Sequence, residues 1–436
     1  MVEAAILPAA APVSTPSPVL APGPIIEKGV APRPALGRIA QWAAASLLAA
    51  SVLFNALLAW TNGHVTPLTP SMVSVVQAAI VLAALGLGAL QPIALSGRWI
   101  AMAWLLVMAA LLTSAIRAQL EPKIIGDILL IPAFILLGAR VEGPVLRRTV
   151  IMLQALIVTV GLWELLRPEQ FGAFFRVQDY YVNTRGFKAE DFWAGGDLFV
   201  SSERAHGRML LDGFGFHRGS SLFLEPVSLG NWAVVTAIFT GAMWGALGRL
   251  ARTFMIASVA ALLVICDGRL ALTVILLFCL WLPLCRFIPD RLAAFYLPGL
   301  LVLLMLGGML GLLGGPGDNF AGRLTFGMQA LGDMKLDRML GVAENPIMLD
   351  DAGWADFVQS QSLVVALGLW LFLGLTRFGD APGQRIAKHG VLLFITLCLP
   401  VSNSLLSIKT AALMWMIYGF YYARRRAGEG RGALSS

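Results

Sequence analysis

Apolar runs of membrane-crossing length alternate with short polar connections along most of this chain, and two connections are far longer than the rest. A helix crosses a bilayer with about 17 to 25 mostly apolar residues. Twelve stretches answer to that pattern: about 39–60, 71–90, 99–116, 124–138, 149–166, 222–247, 253–266, 270–286, 293–314, 359–376, 390–401 and 409–423. The seventh and eleventh are short for straight spans, which points to a break or a tilt there. The two long hydrophilic segments are 167–221 and 315–358. The pattern predicts an all-α polytopic membrane protein of about 12 transmembrane helices with two large extracytoplasmic (periplasmic) loops.

Lysine and arginine orient such a bundle, because they gather in its short cytoplasmic loops. The even-numbered connections carry Arg98; Arg140, Arg147 and Arg148; Arg249 and Arg252; Arg286 and Arg291; and Arg377, Arg385 and Lys388. The C-terminal tail adds Arg424, Arg425, Arg426 and Arg431, whereas the short odd-numbered connections hold only Arg117, Lys123, Arg269 and Lys409. Both termini are therefore expected in the cytoplasm, and both long segments on the outer face. Two sizeable segments on one face imply a single extracytoplasmic working site. The sequence shows no internal repeat of the kind transporters carry.

Composition narrows the class further. With 58% hydrophobic and 13% charged residues and a mean hydropathy of +0.77, there is too little polar surface to cover an ordinary soluble protein of 436 residues. The net charge of +7 does not indicate nucleic acid, because the basic residues are scattered between apolar runs. Cys266, Cys279, Cys285 and Cys398 lie in or beside those runs without a CxxC pair, so neither a disulfide framework nor a zinc site is indicated. Residues 1–37 read as a Pro- and Ala-rich disordered cytoplasmic tail, 38–423 as the transmembrane domain, and 424–436 as a basic cytoplasmic tail.

The candidate chemistry gathers at the outer level. The first long segment supplies Tyr180, Tyr181 and Trp193 within a dense set of aromatics, which either stack on sugar rings or belong to amphipathic helices on the membrane surface. Outer-half ionisable groups include Arg117, Lys123, Asp127, Glu164, Arg218, Glu225, Asp267, Arg269 and Arg323, while the middles of nearly all apolar runs are uncharged. A proton-coupled transporter places carboxylates near the midplane, so this distribution favours chemistry at the headgroup level. Arginine's planar fork suits a diphosphate, although each arginine alone also fits plain snorkelling or pairing with a carboxylate. In the second long segment Glu344, Asp350, Asp351 and Asp356 form an acidic stretch, any member of which could take a proton from a sugar hydroxyl or simply be solvated.

Three features resemble the Wzy-type polysaccharide polymerases and the related O-antigen ligases. They are Arg218-Gly219 followed by Phe223-Leu224-Glu225-Pro226 and Gly230; Asp267-Gly268-Arg269; and Arg323, Gly341 and Asp356 ahead of Gly368. Asp356 stands about where the ligases carry a histidine, which leans toward a polymerase. The resemblance implies a GT-C-like fold and a metal-independent, cofactor-free glycosyltransferase of the bacterial inner membrane, in an exopolysaccharide system of the xanthan or gellan type. Its partners would be an undecaprenyl-diphosphate-linked glycan donor and a lipid-linked acceptor, with a chain-length regulator or export complex alongside. Arg218, Arg269 and Arg323 would stabilise the departing lipid diphosphate, Glu225 would orient Arg218 or contact the acceptor, and Asp356 would be the base. Arg117, Lys123, His217, Trp193, Tyr180 and Tyr181 complete the substrate-binding candidates. Ligase-like transfer to another acceptor, a flippase for lipid-linked sugar and a membrane scaffold are the competing readings. The outer position of the charges counts against the flippase.

Overall fold

The computed structural model describes residues 37–90, 93–188, 190, 192, 197–202, 217–285, 287–312, 314, 320–344, 347, 349, 352–403 and 407–432. The tail expected over 1–37 lies outside them except for Gly37. The first run of helices is α1 (Arg38–His64), α2 (Pro70–Ala89), α3 (Ile93–Arg117), α4 (Pro122–Arg140) and α5 (Gly143–Leu166). The first long segment contains α6 (Pro168–Phe175) and α7 (Val177–Arg185). Then come α8 (Pro226–Ala242), α9 (Arg249–Cys266), α10 (Arg269–Cys285) and α11 (Tyr296–Met309). The second long segment contributes α12 (Phe320–Gly332), α13 (Leu336–Met339) and α14 (Gly353–Gln361). The chain closes with α15 (Leu363–Leu375), α16 (Pro382–Cys398) and α17 (Ile408–Gly432).

Helix is the only regular structure among the described residues. Seven helices are long and apolar enough to cross a membrane, or eight if α14 and α15 form one bent span. The protein is a membrane-embedded helical bundle. Proline opens many of its helices, with Pro70, Pro122, Pro168, Pro226 and Pro382 each at a helix start. There its missing N–H costs nothing and its fixed φ is already helical.

All twelve apolar stretches are helical, with informative departures at some ends. The stretch expected from 222 becomes α-helix only at Pro226, because Leu224 adopts a left-handed conformation (φ +58°) that no continuous helix admits. The stretch expected over 359–376 is broken at Ser362, where φ is +88° and α14 and α15 meet at 111°. The Ser362 hydroxyl restarts the helix by accepting a hydrogen bond from the Val365 amide at 3.2 Å. The two short stretches are unbroken, as α9 and α16. The basic tail expected from 424 continues α17 to Gly432.

At the centre lie α4, α8 and α17, apolar on nearly every side and buried along most of their length. α4 and α17 are in backbone contact: a Cβ at Gly138 would strike the Met416 backbone, and one at Gly419 the Ile135 backbone. Without a hydrophobic drive between helices in lipid, such small-residue contacts supply the packing. Buried polar side chains add specificity, as where Trp232 Nε1 donates to Gln154 Oε1 (2.7 Å) and Gln154 Nε2 donates to Ser258 Oγ (2.9 Å).

The described parts of both long segments lie at one end of this bundle. His64, at the end of α1, hydrogen-bonds the Phe174 carbonyl of the first segment at 2.9 Å. Arg117, at the end of α3, reaches the Gly341 carbonyl of the second at 2.7 Å.

Candidate functional site

The chain between His217 and Glu225 is a pinned strap rather than a free loop. Glu164, fully buried on α5, accepts from the Ser220 amide (2.7 Å), the Ser220 hydroxyl (2.8 Å) and the Ser221 amide. Gly219 N donates to Ile265 O at 2.7 Å, and its closeness to α9 explains the residue type, since a Cβ there would sit 2.5 Å from Ile265 Cγ2. Gly219→Ala is therefore expected to lower stability by about 1–3 kcal/mol, as overpacking does. Thermal unfolding of the purified protein in detergent checks it, with an unchanged midpoint counting against the pinned strap.

Arg218 lies within the strap at 3% exposure. Its Nε donates to Cys266 O and its Nη1 to Ser201 O, each at 3.0 Å. The first of these carbonyls ends α9, where a cation satisfies both an orphan acceptor and the helix dipole. Arg218 thus ties the first long segment to the end of α9. Beside it, burial lowers the His217 imidazole from 6.5 to about 4, so the ring is neutral near pH 7.

That shift has a sign. The folded state disfavours protonated His217, so its contribution is complete above about pH 6.5 and is lost as the pH falls through about 4. Apparent stability is expected to decline across that window. His217→Gln should flatten the decline, and an identical slope in the variant would refute the assignment.

Glu225 immediately precedes α8, at its N-cap position, and is the hub of the site. Its Oε1 accepts from Arg185 Nη1 and from the Tyr181 hydroxyl, each at 3.0 Å. Its Oε2 accepts from Lys409 Nζ at 2.7 Å and from Ser228 Oγ at 2.9 Å. These donors come from the middle and end of α7, the first turn of α17 and the first turn of α8. Asn55 on α1 joins the group: its Nδ2 donates to Phe223 O (3.2 Å) and its Oδ1 accepts from the Tyr180 hydroxyl (3.4 Å). Burial pushes the Tyr180 phenol up to about 12, and burial together with the Glu225 carboxylate pushes Tyr181 well above its ordinary value. Both hydroxyls therefore remain protonated and able to donate. Tyr180 and Tyr181 are fully buried, and Phe187, Phe192 and Phe199 surround the Tyr181 ring. They serve the site through their hydroxyls rather than as open stacking faces.

A second group of charges faces the hub from α4 and α14. Asp127 accepts from Gln77 Nε2 at 2.8 Å and lies within electrostatic reach of Lys123, Asp356 and Arg185. One carboxylate thus senses both long segments. Asp356 Oδ2 accepts from Asn403 Nδ2 (3.1 Å), and its Oδ1 lies 3.4 Å from Gln359 Nε2. Arg117 fixes the helix that carries it. The guanidinium, buried at 9% exposure, donates to Gly341 O and Gln359 O, each at 2.7 Å, and to Ser360 O at 3.3 Å. Lys123 is exposed at the start of α4.

Arg269 is exposed at the first position of α10 and Arg323 is half-buried on α12. Their chain neighbours Leu270 and Leu324 belong to one small apolar cluster with Leu304 and Val401. The two arginines are thereby carried into one neighbourhood. Trp193 lies outside the described residues.

The motif resemblance gives Glu225 either the orienting of Arg218 or contact with the acceptor; in the structure its carboxylate pairs with Arg185 and Lys409. Arg185 is hidden within a long polar segment of the sequence. Lys409 has a visible signal, a lone charge at the mouth of an apolar run, but the positive-inside argument absorbs it. Asn55 carries no signal that separates it from other small polar residues in helices. No known protein family matches the chain, and no curated protein or solved structure does either.

Proposed function

We propose that this protein polymerises undecaprenyl-diphosphate-linked oligosaccharide repeat units into exopolysaccharide at the periplasmic face of the bacterial inner membrane, as a metal-independent glycosyltransferase of about 12 spans with both termini cytoplasmic. The carrying observation is the convergence of Glu225, Arg185, Lys409, Asp127 and Asp356 at the end of the bundle where the long segments meet. Charges gathered at the boundary of an apolar bundle are costly to assemble, and a paired set at the edge of a membrane domain marks a place that handles polar substrate.

In this reading the acceptor hydroxyl of one repeat unit attacks the anomeric carbon of the donor glycan. A new glycosidic C–O bond forms, the C–O bond to the lipid diphosphate breaks, and the diphosphate leaves with the electron pair. Asp356 takes the hydroxyl proton. Arg269 and Arg323 meet the negative charge that grows on the leaving group, a preorganised electrostatic role that is usually the largest catalytic term. Arg185, whose side chain is 43% exposed while Glu225 anchors it, adds a third cation facing the open side. Arg218 and Arg117 act through position, by setting the strap and α14.

A cavity of about 380 Å³ at the same end supports the glycan side of this reading. Asn62, His64, Arg176, Asp179 and Asn183 line it, donors and acceptors suited to sugar hydroxyls. The test is reconstitution in liposomes with lipid-linked repeat units on the outer-face side. Longer lipid-linked chains without any ion gradient are expected. Transfer to a non-lipid-diphosphate acceptor would favour the ligase, and movement of unaltered substrate between leaflets would refute the enzyme reading.

A further inference from the structure

The opposite end of the bundle holds a second constellation that the proposed reaction does not use. Arg291, Arg377, Arg385 and Arg424 line one cavity of about 730 Å³. They come from four places: the turn before α11, the connection between α15 and α16, the first turn of α16, and α17. Asp290 and Asp380 share the lining, and both are engaged. Asp290 Oδ2 accepts from the Phe378 amide at 2.7 Å and lies 3.7 Å from the buried Lys388 ammonium, while Asp380 accepts from Arg385 at 2.6 Å.

Among the described residues, four arginines against two aspartates give the lining two net positive charges, and Lys388 stands behind it as a further cation. The N-terminal turn of α16 contributes Gln384 and Arg385, which places the positive end of a 17-residue helix at the cavity. Arginines that merely mark the cytoplasmic side of a membrane protein have no reason to share one cavity. A guanidinium fork matches the paired oxygens of a phosphate. The neighbouring surface is apolar: Phe287 is 71% exposed, Leu292 46% and Phe295 64%. A soluble anion has no use for that surface, but acyl chains do.

We infer that this cavity binds the phosphodiester headgroup of an anionic phospholipid from the leaflet on that side, with the acyl chains along Phe287, Leu292 and Phe295. The site stands independently of the polymerase reading, because it shares no residue with the Glu225 hub. Basic pockets between transmembrane helices suit such headgroups, and each arginine near a membrane surface strengthens binding by roughly fivefold.

The experiment uses the purified full chain in detergent, titrated with dioctanoyl phosphatidylglycerol or dioctanoyl phosphatidylcholine and read by native mass spectrometry. Saturable binding of the anionic lipid is expected, weakening as salt rises and by roughly fivefold in each of Arg291→Gln and Arg377→Gln. Equal binding of the two lipids would overturn the proposal. So would insensitivity to salt on the unmodified chain, which decides the matter even if a variant fails to fold. Displacement of the lipid by an equal concentration of inorganic phosphate would also overturn it, by identifying a soluble phosphate as the ligand.

Discussion

Glu225→Gln is expected to abolish chain elongation and to destabilise the protein by about 3–5 kcal/mol, the cost of breaking a buried ion pair from one side. The carboxylate holds Arg185 and Lys409 at once, and Lys409 is only 1% exposed. Glutamine keeps the shape and removes the charge, which leaves a buried ammonium without its counter-ion and frees Arg185 from its anchor. A double variant separates the two consequences. Adding Lys409→Met removes the stranded cation, so stability should recover toward that of the unmodified protein, while elongation should not. Apparent melting in detergent and the length of lipid-linked product are the two readouts. A Glu225→Gln protein with an unaltered midpoint would remove the hub from any account of this fold.

Arg269→Ala and Arg323→Ala are expected to act in the opposite way, by lowering elongation about 10²- to 10³-fold with little change in stability. Arg269 is exposed and Arg323 half-buried, so neither truncation leaves a large cavity. If both variants make product of normal length at a normal rate, neither arginine serves the leaving group. Truncating Arg218 is a less discriminating test, because its carbonyl bonds to Cys266 and Ser201 hold the strap together and their loss alone would disturb the site.

The helices were legible because membrane spans are written in composition, and every apolar stretch proved helical. Their ends were less so. The break at Ser362 depends on one residue's φ and one hydroxyl bond, neither of which alters the hydropathy of the surrounding run. The site was legible in its residues but not in its pairings. Glu225, Asp127, Arg117 and Arg218 all stood out as charges beside apolar runs, and Asp356 was picked from its acidic stretch only by the motif resemblance, yet which cation meets which carboxylate is decided by helix packing. Lys409 reaches Glu225 from 184 residues away, through the placement of α17 in the centre of the bundle. Local spacing carries no record of such a meeting. Aromatic density was ambiguous for a related reason, because the same composition builds a surface for sugars or a core for a loop, and for Tyr180 and Tyr181 it builds the core.

The placement of α14 also bears on how this protein can change over time. Asp356 takes its position from three supports: the restart of helix at Ser362, the Arg117 grip on Gln359 and Ser360, and the Gly353 contact with the Ser402 backbone. A fourth comes from the segment ahead of it, where the Gln359 side chain accepts from the Ile347 amide at 3.3 Å and donates to the Ile347 carbonyl. Four anchors on one short helix leave its register insensitive to a change at any single one, so drift there is tolerated one residue at a time.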